Sequence, residues 1–139
     1  SSPMALDKAE EAIQKIVAEG KKIAVLGDMM ELGEYTATEH KKAGMKVAEI
    51  FDILITVGLR ARYFAEGALN ANMDESKIFQ FENSSEAGKY LETIIGKGDI
   101  VLVKGSQTTR MEKVVKEVMA HPEESEKLLV RQEEEWNKR

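Results

Sequence analysis

Short apolar segments alternate along the chain with segments in which apolar residues recur at helical spacing. Three segments are almost continuously apolar and a fourth is less so; these are residues 23–26, Ile53–Val57, residues 100–103 and the weaker Ile78–Phe81. Unbroken apolar runs of this length are typical of strands that are buried on both faces, as in parallel sheets. The pattern therefore predicts four strands, of which the weaker lies nearer an edge.

Between these strands, apolar residues repeat every three or four positions, which predicts helices. The five stripes are Ala9, Ala12, Ile13, Ile16 and Val17; His40, Ala43, Val47 and Ile50; Ala61, Phe64, Ala65 and Ala68; Ala87, Leu91 and Ile94; and Met111, Val114, Val115 and Val118. Asn83 with Glu86 marks the start of the fourth helix. Because strands and helices alternate, we predict a Rossmann-like α/β fold with a mainly parallel sheet and helices on both faces.

The composition changes after residue 120. Residues 121–139 are highly charged, and their large apolar residues are Leu128, Leu129, Val130 and Trp136. We therefore divide the chain into a domain of residues 1–120 and a charged C-terminal tail of residues 121–139, which we expect to be helical.

Composition narrows the class of protein. A chain of 139 residues, with 42% hydrophobic and 32% charged residues, is typical of one globular domain. The net charge of −5 argues against a nucleic-acid or anionic-membrane surface. The absence of cysteine excludes disulfides and thiol chemistry. With no apolar stretch near the ~20 residues of a membrane span and no signal-peptide pattern, we expect a cytoplasmic monomer.

The loops at the carboxyl ends of parallel strands are where ligands bind in such folds. The most informative loop follows the first strand and reads Gly-Asp-Met-Met-Glu-Leu-Gly over residues 27–33. Asp28 and Glu31 bring two carboxylates to this edge, and Met29, Met30 and Leu32 are apolar groups that would pack under the loop or against another domain. Composition alone favours the alternative, a strand-to-helix connector in which Asp28 binds backbone N–H groups.

A second candidate follows the strand of residues 100–103. Lys104, Gly105 and Ser106 offer an ammonium group, backbone N–H groups and a hydroxyl, which together suit a carboxylate ligand. An equally supported alternative is a lysine that reaches solvent while Ser106 or Thr108 caps the next helix. His40 lies on the apolar stripe of its helix, where a packing histidine is more common than a catalytic one.

Several sequence motifs that bind phosphates, dinucleotides or metals in enzymes are absent from this sequence. It contains no GxxxxGK[ST] phosphate loop and no GxGxxG fingerprint, and its two histidines lack metal-ligand spacing. We therefore assign no catalytic residue and no metal ligand, and we expect that this chain alone does not activate ATP.

Two segments nevertheless resemble a known family. The Gly-Asp-Met-x-Glu-Leu-Gly segment of residues 27–33, followed by His40, is similar to the C-terminal domain of the Mur ligases, above all the MurF type. Residues 103–106 and 110–115 resemble the second signature of that type, Lys-Gly-Ser followed by Met-Glu and valines. The resemblance covers roughly residues 3–119.

The resemblance implies a ligase that uses ATP and Mg²⁺ to join D-alanyl-D-alanine to UDP-N-acetylmuramoyl-tripeptide in peptidoglycan synthesis. The N-terminal and central domains of the same chain would be its partners, and it would close over the central one. By itself it would be inactive and bind neither cofactor. The residues expected to face this substrate cleft are Asp28, Met29, Glu31, Leu32, Gly33, His40, Lys104, Gly105, Ser106 and Arg110, with Ser2 and Pro3 facing the nucleotide.

The sequence departs from the family in two places. Gln107 stands where the family usually has arginine, so an anion contact there would pass to Arg110. Ser2 replaces the second Asn of the Tyr-Asn-x-Asn-Pro segment through which relatives enter this domain.

Two alternatives remain open: a free-standing Rossmann-like binding or interaction module, and the same domain of another Mur or folylpolyglutamate-type ligase. A ligase domain should expose Met29, Met30 and Leu32 to its sister domain, whereas a free-standing module should bury them.

Overall fold

The computed structural model describes residues 3–29, 36–105, 110–119 and 129–131. The helices are α1 (Pro3–Gln14), α2 (Thr36–Ile50), α3 (Arg62–Asn70), α4 (Ser84–Ile94) and α5 (Glu112–Met119). The strands are β1 (Lys22–Gly27), β2 (Ile53–Val57), β3 (Ile78–Phe81), β4 (Ile100–Lys104) and β5 (Leu129–Arg131), with a 3-10 turn at Glu75–Lys77 before β3. The four predicted strands and five predicted helices are confirmed.

All neighbouring strands are parallel, and their order in the sheet is β3-β2-β1-β4-β5. From β1 the chain moves outward through β2 to β3, and it then returns to place β4 on the other side of β1. The direction of winding thus reverses between β1 and β4. In open α/β sheets, the crevice beyond the carboxyl ends of the two strands at such a reversal is the usual place for a ligand.

Alternate residues of each central strand enter two separate cores, one on each face of the sheet. Ala24 and Leu26 of β1 pack with apolar residues of α1, α2 and α3. Ile23 and Val25 of the same strand pack with residues of α4 and α5. Both faces of the sheet are therefore covered by helices, as predicted, and this explains why the strands read as unbroken apolar runs.

The start of α4 forms as its sequence predicts. The side-chain oxygen of Asn83 accepts a hydrogen bond from the backbone N–H of Glu86 at 2.9 Å. This bond satisfies one of the N–H groups that a helix leaves without an internal partner in its first turn.

The prediction for the end of α1 is wrong. The apolar stripe continues to Val17, but the helix ends at Gln14, and Val17 is 95% exposed. Ile16 still packs against the core, because its N–H bonds to the carbonyl of Ile13 in a final turn. Beyond that turn the backbone no longer directs side chains at helical spacing, so Val17 leaves the buried face.

The expectation of a helical tail is wrong for Leu129–Arg131. These residues form β5, a parallel strand paired with β4 in which Leu129 aligns with Ile100. Without β5, the outer side of β4 would present unpaired backbone N–H and C=O groups, and a segment containing β-branched Val130 is well suited to pair with them. The remaining tail residues lie outside the described part of the chain.

Candidate functional site

The reversal of winding brings the two candidate motifs to neighbouring strand ends. Leu26 of β1 aligns with Lys104 of β4 in the parallel register, so Asp28 and Gly105 begin adjacent loops. The two strand ends flank the crevice that general principles assign to a ligand in this type of sheet. The structure therefore brings the described first residues of the two motifs to one edge, although they are more than 70 positions apart in sequence.

Asp28 is buried, at 7% exposure, and ties β1 to the start of α3. Its Oδ1 accepts a hydrogen bond of 2.6 Å from the backbone N–H of Ala61, the residue that caps α3. Gly58 packs against the same carboxylate so closely that a Cβ there would lie 2.9 Å from Oδ1. The carboxylate thus binds backbone, as in the connector alternative, but its partner is 33 positions away.

Met29 and His40 form a buried pair beside Asp28. The N–H of Met29 donates to Nε2 of His40 at 3.1 Å, and His40 is fully buried. The imidazole also stacks on Phe64, with the ring centroids 4.4 Å apart. Because Nε2 is an acceptor here, that nitrogen carries no proton. His40 is accordingly placed as a packing residue that binds the backbone of Met29 and contacts Phe64.

The predicted exposed apolar patch is wrong for Met29, which is 1% exposed and packs in the core formed with α1, α2 and α3. Its side chain follows a strand that is buried on both faces, so it continues into the domain's own core. Met30 and Leu32 lie outside the described residues. Burial of Met29 therefore does not by itself separate a ligase domain from a free-standing module.

Lys104 and Gly105 are both buried where β4 ends, with Lys104 only 3% exposed. Arg110 is exposed, has a positive φ of 52°, and forms an ion pair of 3.8 Å with Glu112. Pro3 begins α1. The other predicted site residues lie outside the described part of the chain; these are Ser2, Glu31, Leu32, Gly33 and Ser106.

A cavity of about 440 Å³ opens at the carboxyl ends of β2 and β3, one strand away from Asp28. Its lining residues are Gly58, Leu59, Arg62, Gln80, Phe81 and Glu82. The N–H of Gly58 donates to the carbonyl of Phe81 at 2.9 Å, which joins the two strand ends that form the cavity. Leu59 is 75% exposed at this cavity.

The lining of this cavity carries both signs of charge. Arg62 donates through Nη2 to the hydroxyl of Tyr63 at 3.2 Å, and its guanidinium carbon lies 5.1 Å from the centre of that ring. The hydrogen bond to Tyr63 raises the pKa of Arg62, which therefore stays charged. Glu82 supplies a carboxylate. The sequence analysis did not single out Arg62, although an Arg-x-Arg segment after a strand end is a recognisable signal.

A second feature that the sequence did not reveal is Glu10, which is 1% exposed between α1 and α2. Burial raises the pKa of its carboxyl to about 8, although nearby Lys46 acts in the opposite direction. Oε2 of Glu10 has no hydrogen-bond partner among the described residues. A cavity of about 140 Å³ adjoins it, lined also by Asp7, Glu39, Lys42, Ala43 and Lys46.

Neither a metal centre nor a membrane span is found in the parts of the chain that the structure describes. Within them, no three or more side chains of histidine, cysteine, aspartate or glutamate are grouped so that they could hold a metal ion. No described helix combines the length and apolar character needed to cross a bilayer.

The model of one protein family matches most of the chain. This family, described as Mur ligase, glutamate ligase domain, matches residues 1–107. The match includes β1 to β4 and so contains both candidate strand ends.

Two curated relatives carry the name UDP-N-acetylmuramoyl-tripeptide–D-alanyl-D-alanine ligase. The protein of Bacillus subtilis (strain 168) is 29% identical over 123 residues, which are 88% of this chain and 27% of that protein. The protein of Buchnera aphidicola subsp. Acyrthosiphon pisum (strain APS) is 31% identical over 107 residues, which are 72% of this chain and 21% of that protein.

Solved structures of similar fold agree with these relatives. The MurF ligase of Thermotoga maritima, in complex with ADP, has a TM-score of 0.69 and 28% identity, over 88% of this chain and 27% of that one. A MurF structure from Acinetobacter baumannii has a TM-score of 0.70 and 28% identity, over 86% and 26%. This chain thus spans about a quarter of the length of the proteins it matches.

Proposed function

The chain belongs to the family of Mur ligase glutamate ligase domains, and we propose that it is the C-terminal domain of a MurF-type ligase. The proposed reaction joins D-alanyl-D-alanine to UDP-N-acetylmuramoyl-tripeptide at the expense of ATP, in cytoplasmic peptidoglycan synthesis. The ATP-binding and tripeptide-binding parts belong to the N-terminal and central domains of the longer enzyme. This domain contributes the side of the cleft where the dipeptide is held.

One observation carries this proposal. The described residues that begin the two MurF-type motifs, 27–29 and 103–105, lie at the ends of β1 and β4, which are adjacent in the sheet and flank its reversal of winding. Residues of the family signature that are distant in sequence thus lie close together at the edge of the sheet where α/β folds bind ligands. Asp28 and Lys104 are buried charged residues of this edge, and His40 accepts a hydrogen bond from the N–H of Met29, the residue that follows Asp28.

Both curated relatives carry the D-alanyl-D-alanine ligase name, which supports the MurF type over another Mur or folylpolyglutamate-type ligase. The family match over residues 1–107 supports a ligase domain over an unrelated free-standing module. Shared fold alone would not separate these alternatives.

The chemistry divides between the domains. In the proposed reaction the terminal phosphoryl group of ATP passes to the tripeptide carboxylate, and ADP leaves. The dipeptide nitrogen then attacks the acyl carbon, an amide bond forms, and phosphate leaves. Mg²⁺ would stabilise charge on the phosphates in the central domain. The role of this chain is to close the cleft and orient the dipeptide amine.

The test is a ligation assay with the intact enzyme that contains this chain. Mass spectrometry should detect UDP-N-acetylmuramoyl-pentapeptide when tripeptide, D-alanyl-D-alanine, ATP and Mg²⁺ are all present. Replacing the dipeptide with L-glutamate, or the tripeptide with a folate, should abolish product. Product with either replacement, or none with the complete mixture, would exclude the MurF assignment. The 139-residue chain alone should release no ADP above a buffer control.

A further inference from the structure

We propose that the acidic segment Glu-Glu-Glu-Trp of residues 133–136 docks in the groove between α4 and α5 of the same chain, with its carboxylates paired to the lysines of that groove. The groove has a volume of about 320 Å³ and is lined by Ser85, Lys89, Lys113, Lys116 and Glu117. The docked segment would hold β5 and the first turns of α5 together. This inference goes beyond the proposed function and does not depend on it.

The groove is a positive surface on an acidic protein. The whole chain has a net charge of −5, whereas the groove carries three lysines and one carboxylate, that of Glu117. All three lysines are exposed. The salt bridges that the structure shows among the described residues involve other cations, such as Lys21 with Asp99 and Lys41 with Glu66. The ammonium groups of the groove are therefore available to an acidic partner.

The packing of the two helices places these lysines along one narrow space. Gly88 of α4 lies so close to α5 that a Cβ there would be 3.2 Å from Cβ of Glu117. Lys89 is the next residue of α4, and Lys113 and Lys116 are neighbours on one face of α5 because they are one turn apart. In an extended segment, successive side chains point to opposite sides, so adjacent glutamates can reach the lysines of both helices.

The topology of the sheet decides which acidic part of the tail can meet the groove. β5 is parallel to β4 and therefore ends, at Arg131, on the carboxyl edge of the sheet. α4 begins at the same edge, shortly after β3, and the groove lies beside its first half. Residues 120–128 instead connect the end of α5 to Leu129, which aligns with Ile100 at the opposite edge. The acidic segment on the side of the groove is thus the one that follows Arg131.

The distance from β5 to the groove is within reach of this segment. Residues 132–139 follow β5, and at about 3.3 Å per residue they span up to about 26 Å when extended. The path crosses about two strand spacings, roughly 10 Å, and rises by about one helix diameter, also roughly 10 Å. Trp136 follows the three glutamates, and its indole can cover the apolar stems of the lysines and face an ammonium group.

The test uses the fluorescence of Trp136, the only tryptophan of the 139-residue chain. Docking should shift its emission to shorter wavelength and lower its quenching by acrylamide, relative to the same protein unfolded in urea. Lys113→Gln combined with Lys116→Gln should weaken docking by about tenfold, because each exposed ion pair contributes about two- to fivefold. Salt at about 1 M, where the Debye length is about 3 Å, should shift the emission in the same direction as this double variant.

The matched control removes two positive charges from the other edge of the sheet. Lys77 directly precedes β3 and Lys97 lies between α4 and β4, and both are exposed. Lys77→Gln combined with Lys97→Gln should leave the emission and the quenching of Trp136 unchanged. Circular dichroism should show the same helix content for this variant, the groove variant and wild type.

Exchanging the charges tests the pairing itself. Glu133→Lys combined with Glu134→Lys should release the segment by repulsion from the groove lysines. Adding Lys113→Glu and Lys116→Glu to that variant should restore the emission and the low quenching of wild type, because opposite charges face each other again. Either pair of reversals alone should give the released signal.

Three results would overturn the proposal. Wild-type emission and quenching equal to those in urea would show that the segment does not dock. An equal response to the groove and control variants would show that net charge, and not this groove, determines the signal. A signal that changes on about hundredfold dilution would show that the segment docks on a second copy of the chain, since docking within one chain does not depend on concentration.

Discussion

The backbone N–H of Met29 donates a hydrogen bond to Nε2 of His40 across 3.1 Å, and both residues are buried. The bond joins the residue after Asp28 to the first turns of α2, on which His40 lies. It therefore fixes the direction in which the chain leaves β1. The position of this histidine thus has a structural explanation, since its Nε2 accepts a hydrogen bond from one backbone N–H group.

Replacing His40 tests this structural role. His40→Ala should lower the free energy of unfolding by about 2–4 kcal/mol, because it leaves a cavity beside Phe64 and an unpaired buried N–H at Met29. His40→Gln keeps an acceptor and should cost clearly less. Urea denaturation followed by circular dichroism gives both values. Equal losses for the two variants would show that packing alone, and not the hydrogen bond, is what His40 provides.

Asp28 offers a second comparison, since its Oδ1 accepts from the N–H of Ala61 at 2.6 Å. Asp28→Ala leaves that buried N–H without its partner and should destabilise the domain by about 1–3 kcal/mol. Asp28→Asn retains an acceptor oxygen and should lose less stability. If Asp28 acts only by holding α3 against β1, the Asn variant of the intact ligase should keep most of its activity. A fully folded but inactive Asp28→Asn enzyme would instead point to a direct role for the negative charge.

The sequence predicted the elements whose signals are local. Residues 23–26 and Ile53–Val57 are recognisable as strands because both of their faces are buried and therefore apolar. Asn83 is recognisable as the cap of α4 because its hydrogen-bond partner, Glu86, is only three residues away. The sequence did not predict β5, because Leu129–Arg131 lie in a highly charged segment. These residues form a strand because their backbone pairs with the outer side of β4. Such a partner, distant in sequence, cannot be identified from a local pattern.

The candidate site divides in the same way. The loops that contain Asp28 and Lys104 could be located, since they follow strands, but the burial of each side chain depends on neighbours far along the chain. The partner of Asp28 is Ala61, on the next strand's loop. The sequence did not single out Arg62, because its position beside a cavity depends on how the ends of β2 and β3 pack together. The sequence pattern also does not predict that Glu10 is buried, since a glutamate in a helix normally faces solvent.

Helices α2 and α3 cross at two glycines, and this contact allows a sharp mutational test. A Cβ on Gly44 would lie 2.0 Å from the carbonyl oxygen of Phe64, and one on Gly67 would lie 2.0 Å from that of Lys41. Gly44→Ala and Gly67→Ala should therefore each destabilise the domain by about 1–3 kcal/mol, despite the higher helix propensity of alanine. Thermal or urea unfolding measures the change.

Gly88 of α4 is the matched control for this contact. A Cβ there would be 3.2 Å from Cβ of Glu117 and 3.4 Å from Cα of Val114, so α5 would need to shift by only a few tenths of an ångström. Gly88→Ala should change stability by less than about 1 kcal/mol, because the gain in helix propensity offsets a mild contact. A loss at Gly88 as large as that at Gly44 would mean that the effect is a general cost of alanine in these helices, unrelated to the crossing.

Glu10 should make the stability of the domain depend on pH. Burial raises the pKa of its carboxyl from 4.5 to about 8, so the folded state holds this proton more tightly than the unfolded state does. Its contribution is therefore fully present below about pH 4.5 and is lost as the pH rises through about 8. Alkaline conditions oblige the protein either to ionise a carboxyl that is 1% exposed or to unfold.

Glu10→Gln removes this titration while keeping the shape and the hydrogen-bonding groups of a neutral carboxyl. We expect wild type to lose on the order of 1–3 kcal/mol relative to Glu10→Gln between pH 5 and pH 8, since each unit of pKa shift corresponds to about 1.4 kcal/mol. Urea unfolding at half-unit steps of pH gives the difference, in which titrations common to both proteins cancel. Glu49→Gln, an exposed glutamate of α2, should track wild type over the same range. A constant difference between wild type and Glu10→Gln from pH 5 to pH 8 would show that this carboxyl is not protonated in the folded domain, and that α1 and α2 hold it as an ionised partner of Lys46.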